Sequence, residues 1–203
     1  MSFNTRGNEM KKILFVVLFA LLISGCGEKF PVVDDFGSHH YALVNQNNKP
    51  LMFPDFVKGS IVVMNYIYTN CPDICPLSTN NMRLIQERLK KDNIKNVRFV
   101  SLSFDPIHDT PGELTKFAEV RNLDLSNWDF LTGDKKVTDA LIKQAGVFAM
   151  PSDSTILKNG KTIVNFVHTD RISLMDTEGK IRKNYIGSKI NIDEITGDIK
   201  SLQ

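Results

Sequence analysis

The chain is poor in cysteine and tryptophan and carries almost no net charge. Its 203 residues include three cysteines and one tryptophan, and 25 basic residues against 23 acidic ones leave a net charge of +2. Beyond residue 25 there is no run of lysine or arginine interleaved with aromatic residues, which argues against a nucleic-acid binder. The sequence also lacks internal repeats, low-complexity stretches and interdomain linkers. With 42% hydrophobic residues, this length predicts one globular domain with a sizeable core.

Long hydrophobic runs are missing as well, except at the amino end. The eleven residues 13–23 are all apolar, follow Lys11-Lys12 and precede the small residues Ser24-Gly25. This pattern is typical of an export signal, and the apolar run is too short to span a bilayer comfortably. The sequence therefore predicts a signal peptide over residues 1–25. Met10 is an alternative start, because the residues before it are mostly polar and unlike a signal peptide.

The end of this segment predicts a lipid anchor. Leu22-Ile-Ser-Gly-Cys26 resembles the lipobox of bacterial lipoproteins, in which the cysteine is lipidated and becomes the mature N-terminus. We therefore expect a lipidated membrane tether over residues 26–36 and a folded domain over residues 37–203. Each buried methylene of an acyl chain adds about 0.8 kcal/mol to membrane binding. The expected location is extracytoplasmic, on the periplasmic side of a bacterial membrane; an uncleaved signal anchor or a secreted protein with a spare thiol is the alternative.

Two cysteines remain after Cys26, and both lie in Thr69-Asn-Cys-Pro-Asp-Ile-Cys-Pro76, between a strand-like and a helix-like run. In an oxidising compartment such a pair predicts a disulfide, a redox-active dithiol or a metal site. Pro76 favours the first helical turn, so Cys75 should lie at or just before a helix N-terminus, where a thiol pKa is lowered. Three residues separate Cys71 from Cys75, one more than in thioredoxin-type oxidoreductases. This spacing suits chelation at least as well as disulfide exchange.

The order of the apolar patterns predicts an α/β protein with a thioredoxin-like α/β/α sandwich. Residues 61–68 and 97–103 are apolar runs typical of strands buried on both faces, with an amphipathic helix between them. A β-α-β unit of this kind crosses over right-handed into a parallel pair of strands. Other predicted elements are an N-terminal β-hairpin extension (41–44 and 50–53), a helix capped by Thr110, a strand (128–131) and helices over 135–145 and 192–202.

A late pair of strand-like runs contains His168. The runs 162–167 and 171–175 are joined at His168-Thr-Asp170, and a tight turn at 176–179 leads into a further strand. We expect His168 at the tip of this hairpin, beside the strand that leads to the cysteine loop. Position alone leaves open whether His168 is a ligand or a turn or core residue.

The other histidines and the methionines predict no metal site. His39 and His40 lie in a polar segment near the tether, and His108 lies in a polar loop, so all three are expected at the surface. The methionines, including Met150, are expected in the core or on the surface.

Four stretches in order resemble one known family. They are Cys71-Pro-Asp-Ile-Cys-Pro76, Asp105-Pro-Ile-His-Asp-Thr-Pro111, Leu131-Thr-Gly-Asp134, and His168 ahead of Leu174-Met-Asp-Thr-Glu-Gly-Lys180. Together they resemble the Sco/SenC family, whose members are membrane-tethered, thioredoxin-fold copper proteins that serve cytochrome c oxidase assembly. The likeness runs from about residue 37 to the C-terminus.

The resemblance implies Cys71, Cys75 and His168 as copper ligands. It suggests Asp105 as a carboxylate beside the site, although a role in capping its own loop is an equal alternative. Val167 departs from the pattern, because many members carry an acidic residue directly before the histidine. The implied protein is a copper chaperone that binds Cu(I) and Cu(II), receives copper from an upstream donor and delivers it to the copper centre of a cytochrome c oxidase subunit.

Enzymatic alternatives stay open at the level of the sequence. A thiol–disulfide reductase would use Cys71 and Cys75 as a redox pair on the cysteines of a partner such as an oxidase subunit. A thiol peroxidase would use Cys71 to attack peroxide and would need an arginine nearby. Arg83, the nearest in sequence, lies about three turns along the predicted helix.

Overall fold

The structure of the protein, a computed structural model, describes residues 30–156, 160 and 162–203. The predicted signal peptide and Cys26 lie outside these residues. The chain divides into residues 1–31 and residues 32–203, and the fold below is that of the second unit. No helix within the described ranges is long and apolar enough to cross a membrane.

The strands form two sheets. An eight-stranded sheet has the order β1-β10-β9-β4-β5-β6-β2-β3, and β7 and β8 form a separate two-stranded sheet. The elements are β1 (Asp34–Asp35), β2 (Tyr41–Asn45), β3 (Pro50–Phe53), β4 (Ile61–Ile67), α1 (Ile74–Lys91), β5 (Val97–Ser103), α2 (Pro111–Val120), β6 (Trp128–Thr132), α3 (Lys135–Gln144), β7 (Ala149–Ile156), β8 (Thr162–His168), β9 (Ile172–Met175), β10 (Lys180–Tyr185) and α4 (Ile192–Ser201).

The centre of the large sheet is the predicted β-α-β unit. Every residue of β4 is buried. This strand lies between β5, which pairs with it in parallel, and β9, which pairs with it in antiparallel. Helix α1 joins β4 to β5 and buries Met82, Ile85 and Leu89, the apolar stripe that the helical periodicity predicts. The thioredoxin-like α/β fold predicted from the sequence is confirmed.

The N-terminal hairpin is also confirmed. Strands β2 and β3 pair in antiparallel, and β2 attaches the hairpin to the main sheet through β6. Helix α2 begins as expected, with the Thr110 side chain accepting a hydrogen bond from the Glu113 N–H at 3.3 Å and Pro111 in the first turn.

The prediction of a hairpin between the strands on either side of His168 is wrong. Strand β8 does not pair with β9; it pairs with β7, so that Ala149 lies opposite His168. Strand β9 instead pairs with β10 and β4. Strand β7 has no clear pattern in the sequence. Its residues from Met150 to Ile156 are all exposed and include Pro151, so neither an apolar run nor an alternation of apolar and polar residues marks them as a strand. His168 therefore ends the second strand of a two-stranded ribbon whose first strand is largely exposed.

Part of the segment assigned to the tether contributes to the domain. The Val33 N–H donates to the Ile181 carbonyl oxygen at 2.8 Å, and Asp34 and Asp35 pair with β10. Phe36 is completely buried and its ring lies edge-on to the ring of Phe53, 5.8 Å away between centroids. Residues 33–36 thus close one edge of the main sheet.

Candidate metal centre

The two cysteines meet at the start of α1. Cys75 is the second residue of the helix, whereas Cys71 lies in the preceding loop, where its N–H donates to the Tyr68 carbonyl oxygen at 3.2 Å. The side chain of Asp73, at the N-cap, makes no capping hydrogen bond. Instead, the Cys75 N–H donates to the Cys71 sulfur at 3.4 Å. The Cys71 sulfur thus satisfies one of the free N–H groups at the helix start.

The pKa values of the two thiols shift in opposite directions. The hydrogen bond from the Cys75 side chain lowers the pKa of Cys71, and His168 and nearby backbone N–H groups add to this effect against the opposing effect of burial. The same hydrogen bond, together with burial, raises the pKa of Cys75. The sequence-based prediction of a lowered pKa for Cys75 is wrong, because its thiol is hydrogen-bonded to Cys71 and is buried, and both raise its pKa. Both cysteines are free thiols in the structure.

His168 faces this pair with one ring nitrogen. Its Nδ1 lies 3.2 Å from the Thr169 carbonyl oxygen, which can only accept, so Nδ1 carries a proton. Nε2 lies 3.9 Å from the Cys75 sulfur. Burial works to lower the pKa of His168, but the interactions with Cys71 and the Thr169 carbonyl outweigh it and the pKa is raised. A metal ion at Nε2 would displace any proton held there.

Together these residues form a compact donor set. Ligand atoms of Cys71, Cys75 and His168 all lie within 4.8 Å of one another, and they are the one such cluster of histidine, cysteine and acidic residues in the described part of the chain. Cys75 and His168 are 93 positions apart in the sequence. The arrangement can bind a soft or borderline metal ion, and the two sulfurs can also form a disulfide.

The segment after His168 is tied to the cysteine helix. The Asp170 carboxylate accepts hydrogen bonds from the Ser188 N–H at 3.0 Å and from the Ser188 hydroxyl at 2.5 Å. The neighbouring Gly187 carbonyl accepts one from the Asn81 side chain of α1 at 2.7 Å. A Cβ added at Gly187 would lie 2.7 Å from an Asp170 carboxylate oxygen, so the close approach requires glycine. This turn holds the histidine segment close to α1.

A buried carboxylate holds the cysteine loop, and it belongs to Asp109. This side chain accepts hydrogen bonds from the Thr69 N–H (3.1 Å), the Thr69 hydroxyl (2.6 Å) and the Ser103 hydroxyl (2.5 Å). Asp105, the carboxylate suggested from the sequence, instead binds Nδ1 of His108 at 2.8 Å, and its carbonyl accepts from Asp109 N–H. The loop-capping alternative for Asp105 therefore describes its contacts. Sequence reasoning did not single out Asp109, four residues later.

Aromatic rings enclose the histidine. The His168 ring centroid lies 5.0 Å from that of Phe104 and 6.0 Å from that of Tyr68, and Phe166 packs against both of these rings. A cleft of about 370 Å³ opens beside them, lined by Tyr68, residues 71–74 and residues 165–168. Tyr68 and Phe104 each directly follow a central buried strand, and that position in the sequence could have identified them.

The remaining candidate residues lie in other environments. His40 binds the Asp55 carboxylate at 2.7 Å, His39 stacks on Tyr41, and Met150 is 54% exposed. The Arg83 guanidinium is held by Glu87 at 2.5 Å and by Asn80. Arg83 is thus engaged along the helix surface and gives the peroxidase alternative no support.

The chain matches the family model described as SCO1/SenC over residues 33–203. It is also similar to solved structures of that kind. A SCO1/SenC family lipoprotein from Bacillus anthracis is 30% identical, with a TM-score of 0.71 over 87% of this chain and 99% of that one. ScoI from Bradyrhizobium japonicum, solved with copper bound, is 26% identical, with a TM-score of 0.68 over 81% and 98% of the two chains.

A third similar structure is BsSco, described as having a disulfide switch and as a member of the Sco family of cytochrome c oxidase assembly proteins. It is 29% identical, with a TM-score of 0.68 over 86% of this chain and 96% of that one.

Proposed function

The chain belongs to the SCO1/SenC family, and from this premise we propose that it is an extracytoplasmic copper chaperone. It binds Cu(I) and Cu(II) through Cys71, Cys75 and His168 and delivers the metal to the copper centre of a cytochrome c oxidase subunit. The observation that carries the proposal is the convergence of the three ligand atoms within 4.8 Å. The copper-bound ScoI from Bradyrhizobium japonicum supports the choice of metal.

The donor set fits copper in both oxidation states. Thiolates are soft ligands that suit Cu(I), and imidazole suits Cu(II). Zinc accepts the same atoms, but Cu(II) has the higher intrinsic affinity for sites of this kind. Three protein ligands leave a position open to an incoming ligand of an acceptor. The cleft beside residues 71–74 and 165–168 gives such a ligand a route to the site.

Delivery to an oxidase extends the proposal to partners. BsSco, described as an oxidase assembly protein, supports the oxidase as acceptor. An upstream donor would load the chaperone by the same ligand exchange in the opposite direction.

The amino end of the chain supports a proposed location. We place the domain outside the cytoplasm, held to a bacterial membrane by lipid on Cys26. The lipobox-like sequence before Cys26 and the similarity to a Bacillus anthracis lipoprotein support this placement.

Thiol–disulfide reduction is the second candidate function. The lowered pKa of Cys71 and the adjacent Cys75 thiol favour it, because a thiolate attacks a disulfide and a second thiol resolves the mixed disulfide. In that reaction the chain's two thiols become a disulfide and the partner's disulfide becomes two thiols. Copper binding requires the reduced pair, so the same oxidation would also switch off metal binding.

A transfer assay separates the two functions. The full chain in detergent, loaded with Cu(I), is mixed with a metal-free oxidase subunit domain whose cysteines are already reduced. Delivery predicts that the acceptor gains copper from the wild-type chain, while the Cys71→Ser chain loads and transfers little. The reductase function instead predicts that the metal-free chain reduces a disulfide-bonded acceptor equally well with His168→Ala. If the acceptor gains no copper from the wild-type chain, the delivery proposal is wrong.

A further inference from the structure

The copper site has a buried anion in its surroundings. The Asp109 carboxylate is completely buried and is held by the hydroxyls of Thr69 and Ser103 and by the Thr69 N–H. These partners are all neutral. Thr69 is two residues before Cys71, so the carboxylate supports the loop that carries this ligand.

The Asp109 charge lies beside the turn that carries Cys71. Thr69, which donates to the carboxylate at 2.6 Å, lies within the turn that the Cys71 N–H closes by donating to the Tyr68 carbonyl oxygen at 3.2 Å. The hydrogen bond with Cys71 and burial are the main causes of the raised pKa of Cys75, and the Asp109 charge acts in the same direction. Burial raises the pKa of Asp109 itself to about 6, against the hydrogen bonds from Ser103 and Thr69 that lower it. Asp109 is therefore mostly ionised above neutral pH.

The Asp109 charge should affect Cu(I) and Cu(II) at the site differently, because the two loaded sites differ in net charge. With two thiolates and a neutral imidazole, a Cu(I) site carries one net negative charge and a Cu(II) site carries none. A nearby fixed anion therefore repels the Cu(I) form and leaves the Cu(II) form nearly unaffected. Buried charges act on each other more strongly than charges in water, because the effective dielectric constant is lower.

We propose that the buried Asp109 carboxylate shifts the copper site toward Cu(II) by its charge, beyond its role in holding the cysteine loop. The inference rests on the proposed copper site. Asp109 does not coordinate the metal in this account; it is a positioning residue that also sets the relative affinity for the two oxidation states.

The Arg121 guanidinium provides a positive charge that opposes the charge of Asp109. Arg121 packs its guanidinium over the Phe117 ring at 3.5 Å and donates to the Phe117 carbonyl oxygen. Arg121 lines a cleft together with Pro76, the residue directly after Cys75, so its charge lies near the start of α1. Burial lowers the pKa of Arg121, against the charges of Cys75 and Cys71, which act to raise it. By the same charge argument, Arg121 stabilises the Cu(I) form.

The test measures the affinities of both oxidation states by competition with chelators of known strength. The full chain in detergent carries Asp109→Asn, which keeps the shape of the side chain and removes its charge. We expect the ratio of Cu(I) to Cu(II) affinity to rise on the order of tenfold, the size of effect that a unit charge about 12 Å away produces at an effective dielectric constant of about 20. A tenfold change corresponds to about 59 mV in the one-electron potential.

Two matched variants separate charge from support of the loop. Thr69→Val and Ser103→Ala each remove a hydroxyl donor to Asp109. Loss of a donor raises the pKa of this carboxyl, so the affinities of all variants are compared at pH 9, well above the wild-type pKa of about 6, where the carboxylate stays ionised. We expect them to change both affinities together, with the ratio within about twofold of wild type. Equal changes in the ratio for Asp109→Asn and Thr69→Val would overturn the proposal, because a structural role alone would then account for both.

Thermal unfolding of the metal-free variants shows whether Asp109→Asn folds. If it does not fold, Arg121→Gln tests the same charge mechanism. This variant should move the ratio toward Cu(II), and an unchanged ratio there would count against the charge mechanism. The wild-type chain separates this inference from the proposed function. If the wild-type chain binds copper through its thiolates but the affinity ratio responds neither to Asp109→Asn nor to Arg121→Gln, only this inference is wrong. If the wild-type chain binds no copper through its thiolates, both the inference and the proposed function are wrong.

Discussion

Replacing His168 with alanine is expected to lower the affinity for Cu(II) by at least about a hundredfold. Loss of an outer partner of a metal ligand already costs about 10–100-fold, and His168 supplies the only nitrogen in the proposed donor set. Affinity for Cu(I) should fall less, because both soft thiolates remain. Chelator competition gives the two affinities, and the thiolate-to-copper charge-transfer absorption of the Cu(II) form should shift or disappear.

His40→Ala is the matched control for this experiment. His40 is an exposed histidine whose Nδ1 binds the Asp55 carboxylate, and it is not part of the three-residue cluster. Its replacement should leave both copper affinities and the absorption unchanged. The assignment of His168 fails if His168→Ala behaves like His40→Ala.

Cys71 is expected to react with iodoacetamide far faster than Cys75 in the reduced, metal-free chain. The hydrogen bond from the Cys75 thiol lowers the pKa of Cys71, so its thiolate is already formed at neutral pH. Its alkylation rate should therefore stay nearly constant from pH 6 to 8. A thiol with an ordinary pKa of about 8.5 would react roughly tenfold faster with each pH unit over this range.

Peptide mass spectrometry of the partly alkylated chain measures the rate at each cysteine. Cys71→Ser provides the comparison, because it leaves Cys75 as the thiol at the site, completely buried at the helix start and out of reach of the reagent. We expect this variant to react slowly at the site. Faster modification of Cys75 than of Cys71 would restore the expectation from the sequence, in which the helix start activates Cys75.

The centre of the fold could be predicted because its buried elements have clear patterns of apolar residues in the sequence. Strand β4 is an unbroken apolar run and α1 repeats its apolar residues with helical spacing, so each pattern specifies one kind of element. Strand β7 could not be predicted in this way. Its residues from Met150 to Ile156 lie on an exposed ribbon, where packing imposes no pattern, and the missed strand led to the wrong pairing for β8.

The candidate site was predictable as a set of residue types but not as an electrostatic arrangement. The order of four motifs implied Cys71, Cys75 and His168, and the structure brings these three together. Which sulfur receives the N–H at the helix start depends on the path of the loop before Ile74, and spacing alone does not define that path. Asp105 and Asp109 are the same type of residue, so the sequence does not distinguish them. The turn between them in the folded chain directs the Asp109 side chain at Thr69.

X-ray absorption of the copper-loaded chain identifies the atoms bound to the metal and so tests Cys71, Cys75 and His168 as its ligands. The full chain in detergent is measured with Cu(I) and with Cu(II). We expect two sulfur ligands at about 2.3 Å and a histidine nitrogen at about 2.0 Å, distances like those of other thiolate and imidazole metal sites. Copper bound only by nitrogen and oxygen, or a spectrum unchanged when both Cys71 and Cys75 are replaced by serine, would contradict it.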